Sequence, residues 1–216
     1  MSLTNLLSIM LCFILLFFHS NHNITSQIFI CCCITHNHNL TQTNNVFMLD
    51  TFLSSSKLLN TFTGHTDVVR SIDYSTFDDC QLICSGSNDQ TVRVWNFDNN
   101  KQIQSFDRHS NYVYCVKFSP YHYHNHRQNV ICSSSSDDTI RFWDFKNNKQ
   151  LQIFNQHSGG VCGIEFSPFS AGRYLCSVSY DNTIRLWDVK TSKSLHIFNG
   201  RGYVRSTIVI KVILLV

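Results

Sequence analysis

From Lys57 onward, short apolar stretches alternate with polar turns, and their order repeats. In the first complete round, residues 68–74, 81–85, 91–96 and 101–106 form runs of five to seven residues rich in β-branched and aromatic side chains. Between them lie residues 75–80, 86–90 and 97–100, dense in Asp, Asn, Ser and Gly. This pattern predicts four strands joined by turns. The connections are too short for crossover helices, so the strands must pair antiparallel. The first three strands are mostly apolar or small. The fourth, Lys101-Gln102-Ile103-Gln104-Ser105-Phe106, is the most polar, as are its counterparts at 149–154 and 193–198. A polar fourth strand suits an exposed outer edge that must resist pairing with other chains.

The repeat is clearest around the three tryptophans. Asp89-Gln90-Thr91-Val92-Arg93-Val94-Trp95 returns as Asp137-Asp138-Thr139-Ile140-Arg141-Phe142-Trp143 and again as Asp181-Asn182-Thr183-Ile184-Arg185-Leu186-Trp187. The second unit, residues 109–154, is four residues longer than the others. Tyr74 to Cys84 is ten residues, as is Phe166 to Cys176, but Phe118 to Cys132 is fourteen. The extra length falls at Tyr121-His122-Tyr123-His124-Asn125-His126, between the first and second strands. Residues 57–62 read as a lone fourth strand. Gly200-Arg201 opens a further unit that gives way to the apolar residues 207–216.

These units resemble the WD-repeat family of β-propellers, whose repeats of roughly 40–45 residues each form a four-stranded blade. Gly64-His65 fits the family's Gly-His in full, whereas Arg108-His109 and Gln156-His157 keep only the His. Trp143-Asp144 and Trp187-Asp188 fit the Trp-Asp, and Trp95-Asn96 keeps only the Trp. The resemblance covers roughly residues 57–205. It implies an all-β fold, a partial propeller of about three four-stranded antiparallel blades. It also implies one hydrogen-bonded set per blade: His65, Ser85, Asp89 and Trp95; His109, Ser133, Asp137 and Trp143; His157, Ser177, Asp181 and Trp187. Ser87, Ser135 and Ser179 lie two residues on and share the same strand face, so they compete for the serine place. A ring needs at least four blades, so three with partial flanking repeats read as a fragment of a longer propeller or as an incomplete one.

His, Ser and Asp together also evoke nucleophilic catalysis. A hydrolase needs one exposed nucleophile beside an oxyanion hole, whereas this set occurs three times within a strand framework. The expectation is a structural network, no catalytic residue and no cofactor. Function then falls to loops and rims. Tyr121 and Tyr123 suit a protein contact surface, and with His122 and His124 they are the residues expected to meet a partner. His122 and His124, with His126, alternate, and in an extended segment they would face one side. No fourth ligand accompanies them, so no metal site is expected there.

Composition narrows the rest. Hydrophobic residues make up 43% of the 216 and charged residues only 14%, which leaves a polar, weakly charged surface. The formal charge of +3, without a basic stripe, gives no reason to expect nucleic acid. Of ten cysteines, Cys84, Cys132 and Cys176 hold one repeat position inside an apolar strand. Three core thiols fit a reducing, intracellular compartment.

Residues 1–20 contain an apolar run at 6–18, short for a membrane span and without the basic start of a signal peptide. Residues 21–56 read as a polar low-complexity linker, and Asn23 and Asn39 head glycosylation sequons. His19, His22, His36 and His38 beside Cys31–Cys33 show no repeated ligand spacing. The domain plan is therefore 1–20, 21–56, blades at 57–200 and a truncated repeat at 201–216. The function expected is a non-enzymatic scaffold that binds other proteins. The alternatives are a propeller platform of an enzyme and a membrane-anchored or secreted receptor, membrane contact being possible only through residues 6–18.

Overall fold

The connections inside a repeat are short, most of them tight turns, so each unit closes on itself before the next begins. The computed structural model describes residues 26–32, 57–77 and 80–200. Blade 1 comprises β3 (Val69–Phe77), β4 (Cys80–Ser87), β5 (Val92–Asn96) and β6 (Lys101–Phe106). Blade 2 comprises β7 (Val113–Phe118), β8 (Val130–Ser135), β9 (Ile140–Asp144) and β10 (Lys149–Phe154). Blade 3 comprises β11 (Val161–Phe166), β12 (Tyr174–Ser179), β13 (Thr183–Asp188) and β14 (Lys193–Asn199). Each is a four-stranded antiparallel sheet in sequence order. In blade 1 the first hairpin is tighter than its sequence predicts, because pairing continues through Ser75↔Leu82 to Phe77↔Cys80.

The blades stack through both faces of the third strand. On β5, Trp95 packs with Phe62, Val69 and Ile83, while Val92 and Val94 pack the opposite way, with Val113, Val116 and Trp143. Blade 2 repeats this. Trp143 faces blade 1, and Ile140 and Phe142 join Leu175 and Trp187 of blade 3. Each tryptophan thus reaches back into the preceding unit, and the last phenylalanine of that unit covers it. Phe106 stacks on Trp143 and Phe154 on Trp187, both at 4.8 Å between ring centroids. Gly86 permits the approach of blades 1 and 2, since a Cβ there would lie 2.6 Å from Val113 Cγ1.

The inner strands are stitched by polar groups. Asp73, Lys117 and Glu165 occupy one position in three successive blades. Lys117 Nζ lies 3.0 Å from Glu165, and Asp73 accepts a hydrogen bond from the Phe118 amide at 2.8 Å. Burial raises the Asp73 carboxyl despite Lys117 beside it, and Lys117 is raised because the two carboxylates outweigh its own burial.

The stretch expected to be a linker contains a strand. β1 (Ser26–Cys32) pairs antiparallel with β2 (Lys57–His65), which corrects that reading over these seven residues. Its run Ile28-Phe29-Ile30 has the β-prone composition that its polar surroundings mask. The pairing register is that of a third strand with a fourth. Ile28↔Phe62, Ile30↔Asn60 and Cys32↔Lys57 match Val92↔Phe106, Val94↔Gln104 and Asn96↔Lys101, and the irregularity falls at the same step. β2 also docks as a fourth strand. Phe62 meets Trp95 edge-on at 5.7 Å, and Asn60 donates to the Phe97 carbonyl as Gln152 donates to that of Val189. β1 and β2 therefore form the outer half of a blade ahead of blade 1. The apolar run at 6–18, the sequons at Asn23 and Asn39 and residues 201–216 lie outside the described residues. Among those described, no helix is long and apolar enough to cross a membrane.

Candidate protein-interaction surface

The turn between the second and third strands of each blade must reverse the chain in a few residues. It does so with a left-handed residue after the repeated aspartate: Gln90, Asp138 and Asn182 have φ of 69°, 66° and 64°. Asn and Asp tolerate that region better than most residues. The aspartate before each is held from several sides. Asp89 Oδ1 accepts the Thr91 amide and hydroxyl at 2.9 and 2.7 Å, and its Oδ2 takes the Thr66 amide and the His65 ring. Asp137 with Thr139 and Asp181 with Thr183 repeat this geometry.

From each aspartate a polar chain runs inward. His65 Nδ1 lies 2.8 Å from Asp89, its Nε2 lies 2.7 Å from Ser85 Oγ, and Trp95 Nε1 donates to that Oγ at 2.9 Å. In blade 2 the distances from His109 to Asp137, His109 to Ser133 and Trp143 to Ser133 are 2.7, 2.8 and 2.8 Å. In blade 3, His157 to Asp181, His157 to Ser177 and Trp187 to Ser177 are 2.7, 2.8 and 2.7 Å. One proton arrangement satisfies every group with the histidine neutral. The indole N–H donates to Ser Oγ, the hydroxyl donates to Nε2, and Nδ1–H donates to the carboxylate. The competing serines do another job. Ser87, Ser135 and Ser179 accept the aspartate's own amide and donate across the turn to the carbonyls of Asp67, Asn111 and Gly159. The threonines were legible as Asp-x-Thr in all three copies, although the His–Ser–Asp–Trp pattern does not contain them.

These serines are fully buried beneath indoles, so their hydroxyls face no open site. The insertion found in blade 2 alone lies on the surface. The insertion expected to be extended is a helix, α1 (Pro120–His126), which corrects the reading of its alternating histidines. Pro120 at the first turn pre-sets helical φ, and Arg127 ends the helix with φ of 53° and its amide on the Tyr123 carbonyl. On a helix, His122 and His126 share a face while His124 points elsewhere. Two of the residues expected to meet a partner also anchor the helix. Tyr121 is 7% and His122 5% exposed, because the His122 ring packs 5.6 Å from Phe142 and its Nδ1 pairs with Ser119 Oγ at 2.8 Å. Tyr123 is half-buried beneath the Arg127 guanidinium, and His124 is exposed. Among the described residues no group of three or more His, Cys, Asp or Glu could hold a metal.

The model for the WD domain, G-beta repeat, matches residues 56–96, 100–144 and 148–188, more than half of the chain. The chain belongs to the WD-repeat family. Among curated proteins, WD repeat and SOCS box-containing protein 1 of Danio rerio is 37% identical over 67 residues, 31% of this chain and 16% of its own length. The U3 small nucleolar RNA-associated protein 15 homolog of Xenopus tropicalis is 35% identical over 63 residues, 29% of this chain and 12% of its own. The peroxisomal targeting signal 2 receptor of Mus musculus is 36% identical over 63 residues, 29% of this chain and 20% of its own. The matches span at most a fifth of these relatives, about one and a half WD repeats.

The polar chains make the WD blades sensitive to acid. Burial alone would raise Asp89, Asp137 and Asp181. Hydrogen bonds from His65 or His109 with their threonines, and from Thr183 and His157, instead hold all three well below the usual carboxylate range. Burial also pushes His109 and His157 below the ordinary histidine value, against their aspartates, and pushes His122 down to about 4. Both shifts act in one direction. The unfolded chain binds more protons, so stability falls as pH falls. A pH series of urea melts should show the midpoint constant between about 6.5 and 8, declining below that range as the histidines charge, and collapsing below about 4 as the aspartates protonate.

Proposed function

We propose that this WD-repeat chain is a non-enzymatic scaffold that assembles other proteins through the rims and loops of its blades, in a reducing intracellular compartment. The observation that carries this reading is the division of labour in the blade. The His, Ser, Asp and Trp groups are consumed three times over in holding turns and seams, while α1, inserted in blade 2 alone, is anchored by Tyr121 and His122 and presents His124 outward. A rigid element at a surface is what a recognition site needs. The relatives' names speak of a SOCS box, a small nucleolar RNA association and a peroxisomal targeting signal. Tasks so unlike share the repeat, which supports a general platform. Cys84, Cys132 and Cys176 are buried free thiols, in keeping with the compartment. Affinity purification of the full chain under native conditions, with cross-linking before lysis, should return a reproducible complex with cross-links to α1 and the neighbouring turns. A chain that elutes alone, or links that scatter over the whole surface, would overturn the reading.

A further inference from the structure

α1 does more than protrude. It walls one side of a cleft of about 280 Å³ at the seam between blades 2 and 3. Tyr121 and His122 form that wall, the half-buried Leu151 contributes apolar surface, and His126, Lys190 and the fully buried Val189 are also in the lining. A volume below the usual 300–1,000 Å³ of small-molecule sites suits one large side chain of a bound polypeptide better than a whole metabolite. The rim carries a cation. Lys190 is exposed, no acidic side chain lines the cleft among the described residues, and Asp188, two residues before Lys190, is paired with Arg173 at 2.7 Å. Gln152, also lining the cleft, gives its amide N–H to the Val189 carbonyl, and its buried Oε1 has no hydrogen-bond partner among the described residues, so an acceptor is left for an incoming N–H. A second apolar cleft of about 130 Å³ sits one seam earlier, where Ile103 and Phe145 hold the repeat positions of Leu151 and Val189.

We propose that the cleft beside α1 is a docking site for an extended acidic peptide, one that buries an aromatic or large aliphatic side chain against Leu151 and sets a neighbouring Asp or Glu against Lys190. This deepens the scaffold reading and rests on it, since it names the chemistry of the partner. The apolar floor supplies the affinity and the cationic rim the direction of the chain and its dependence on salt.

The test pans a random 12-residue display library on the full chain, then measures the best binders as labelled synthetic peptides by fluorescence anisotropy. The expected binders carry Phe, Trp, Leu or Ile beside Asp or Glu, and weaken at least tenfold on Lys190→Glu and on raising the salt. A peptide with its acids changed to Lys should regain binding to the Lys190→Glu variant. Lys190 is exposed, so its variant should melt with the wild type. Leu151→Asn gives a second, charge-independent loss. A library that yields no binders, or binders indifferent to both substitutions, would overturn the docking site. If the wild type forms cross-linked complexes while no acidic peptide binds it, the cleft is wrong and the scaffold stands. If the wild type forms no complex at all, the scaffold reading itself fails.

Discussion

Trp143→Ala should destabilise the chain by about 3–5 kcal/mol, the range for removing a large aromatic from a packed core. The side chain is fully buried at the seam between blades 1 and 2, stacked on Phe106 and surrounded by Val92, Val94, Val113 and Val116. Two effects add. The cavity opens where two sheets meet, so neither can relax into it without dragging its hydrogen-bonded strands. The loss also leaves Ser133 Oγ without the indole donor, beside a buried His109. Trp143→Phe separates the two, since it restores most of the volume but not the N–H, and should cost about 1–3 kcal/mol, in the range for an unsatisfied buried polar group. Urea unfolding of the full chain followed by circular dichroism measures both. A loss below about 1 kcal/mol for the alanine variant would mean that the seam does not hold the blades together.

The second large effect is a contrast between two residues at one repeat position. Phe154→Ala should cost about 3 kcal/mol or more, because Phe154 is 3% exposed and stacked on Trp187. Phe198→Ala should cost less than about 1 kcal/mol, because Phe198 is 47% exposed. Their local settings are otherwise alike. Phe154 pairs across from Ile140 and Phe198 from Ile184, in the same register. The difference therefore reports what a neighbouring blade contributes to its partner. Paired urea melts of the two variants test it, and equal losses would show that the burial of Phe154 adds nothing at the seam.

Much of this was legible because the repeat multiplies weak signals. One Asp-x-Thr-x-Arg-x-Trp string is ambiguous. Three in phase fix which residues share a face, which strand is outermost and where four residues are inserted. Two elements escaped for physical reasons. The Tyr-His insertion alternates like a strand, and at seven residues α1 is too short for a helical period to emerge. Its signal was Ser119-Pro120, an extended residue followed by a proline that suits a first helical turn. That His122 is an anchor follows from Phe142, twenty residues away in the chain and unmarked in sequence. β1 escaped because its partner β2 begins after a gap of 24 residues, and strand pairing over such a distance leaves no local trace. Its identity as the third strand of a half-blade is carried by register alone. The cleft beside α1 draws on two blades, the inserted helix and a turn, and no single stretch of chain announces it.

The thiols at one repeat position give the blades a further property. Cys84 and Cys132 are pushed far above the ordinary thiol range and Cys176 up to about 12, in each case first by burial. A thiol that cannot ionise in place reacts with an alkylating reagent only when its strand is pulled away from its neighbours. Every blade thus carries its own chemical clock. The order in which the three cysteines acquire label, read peptide by peptide, would give the order in which the blades come apart.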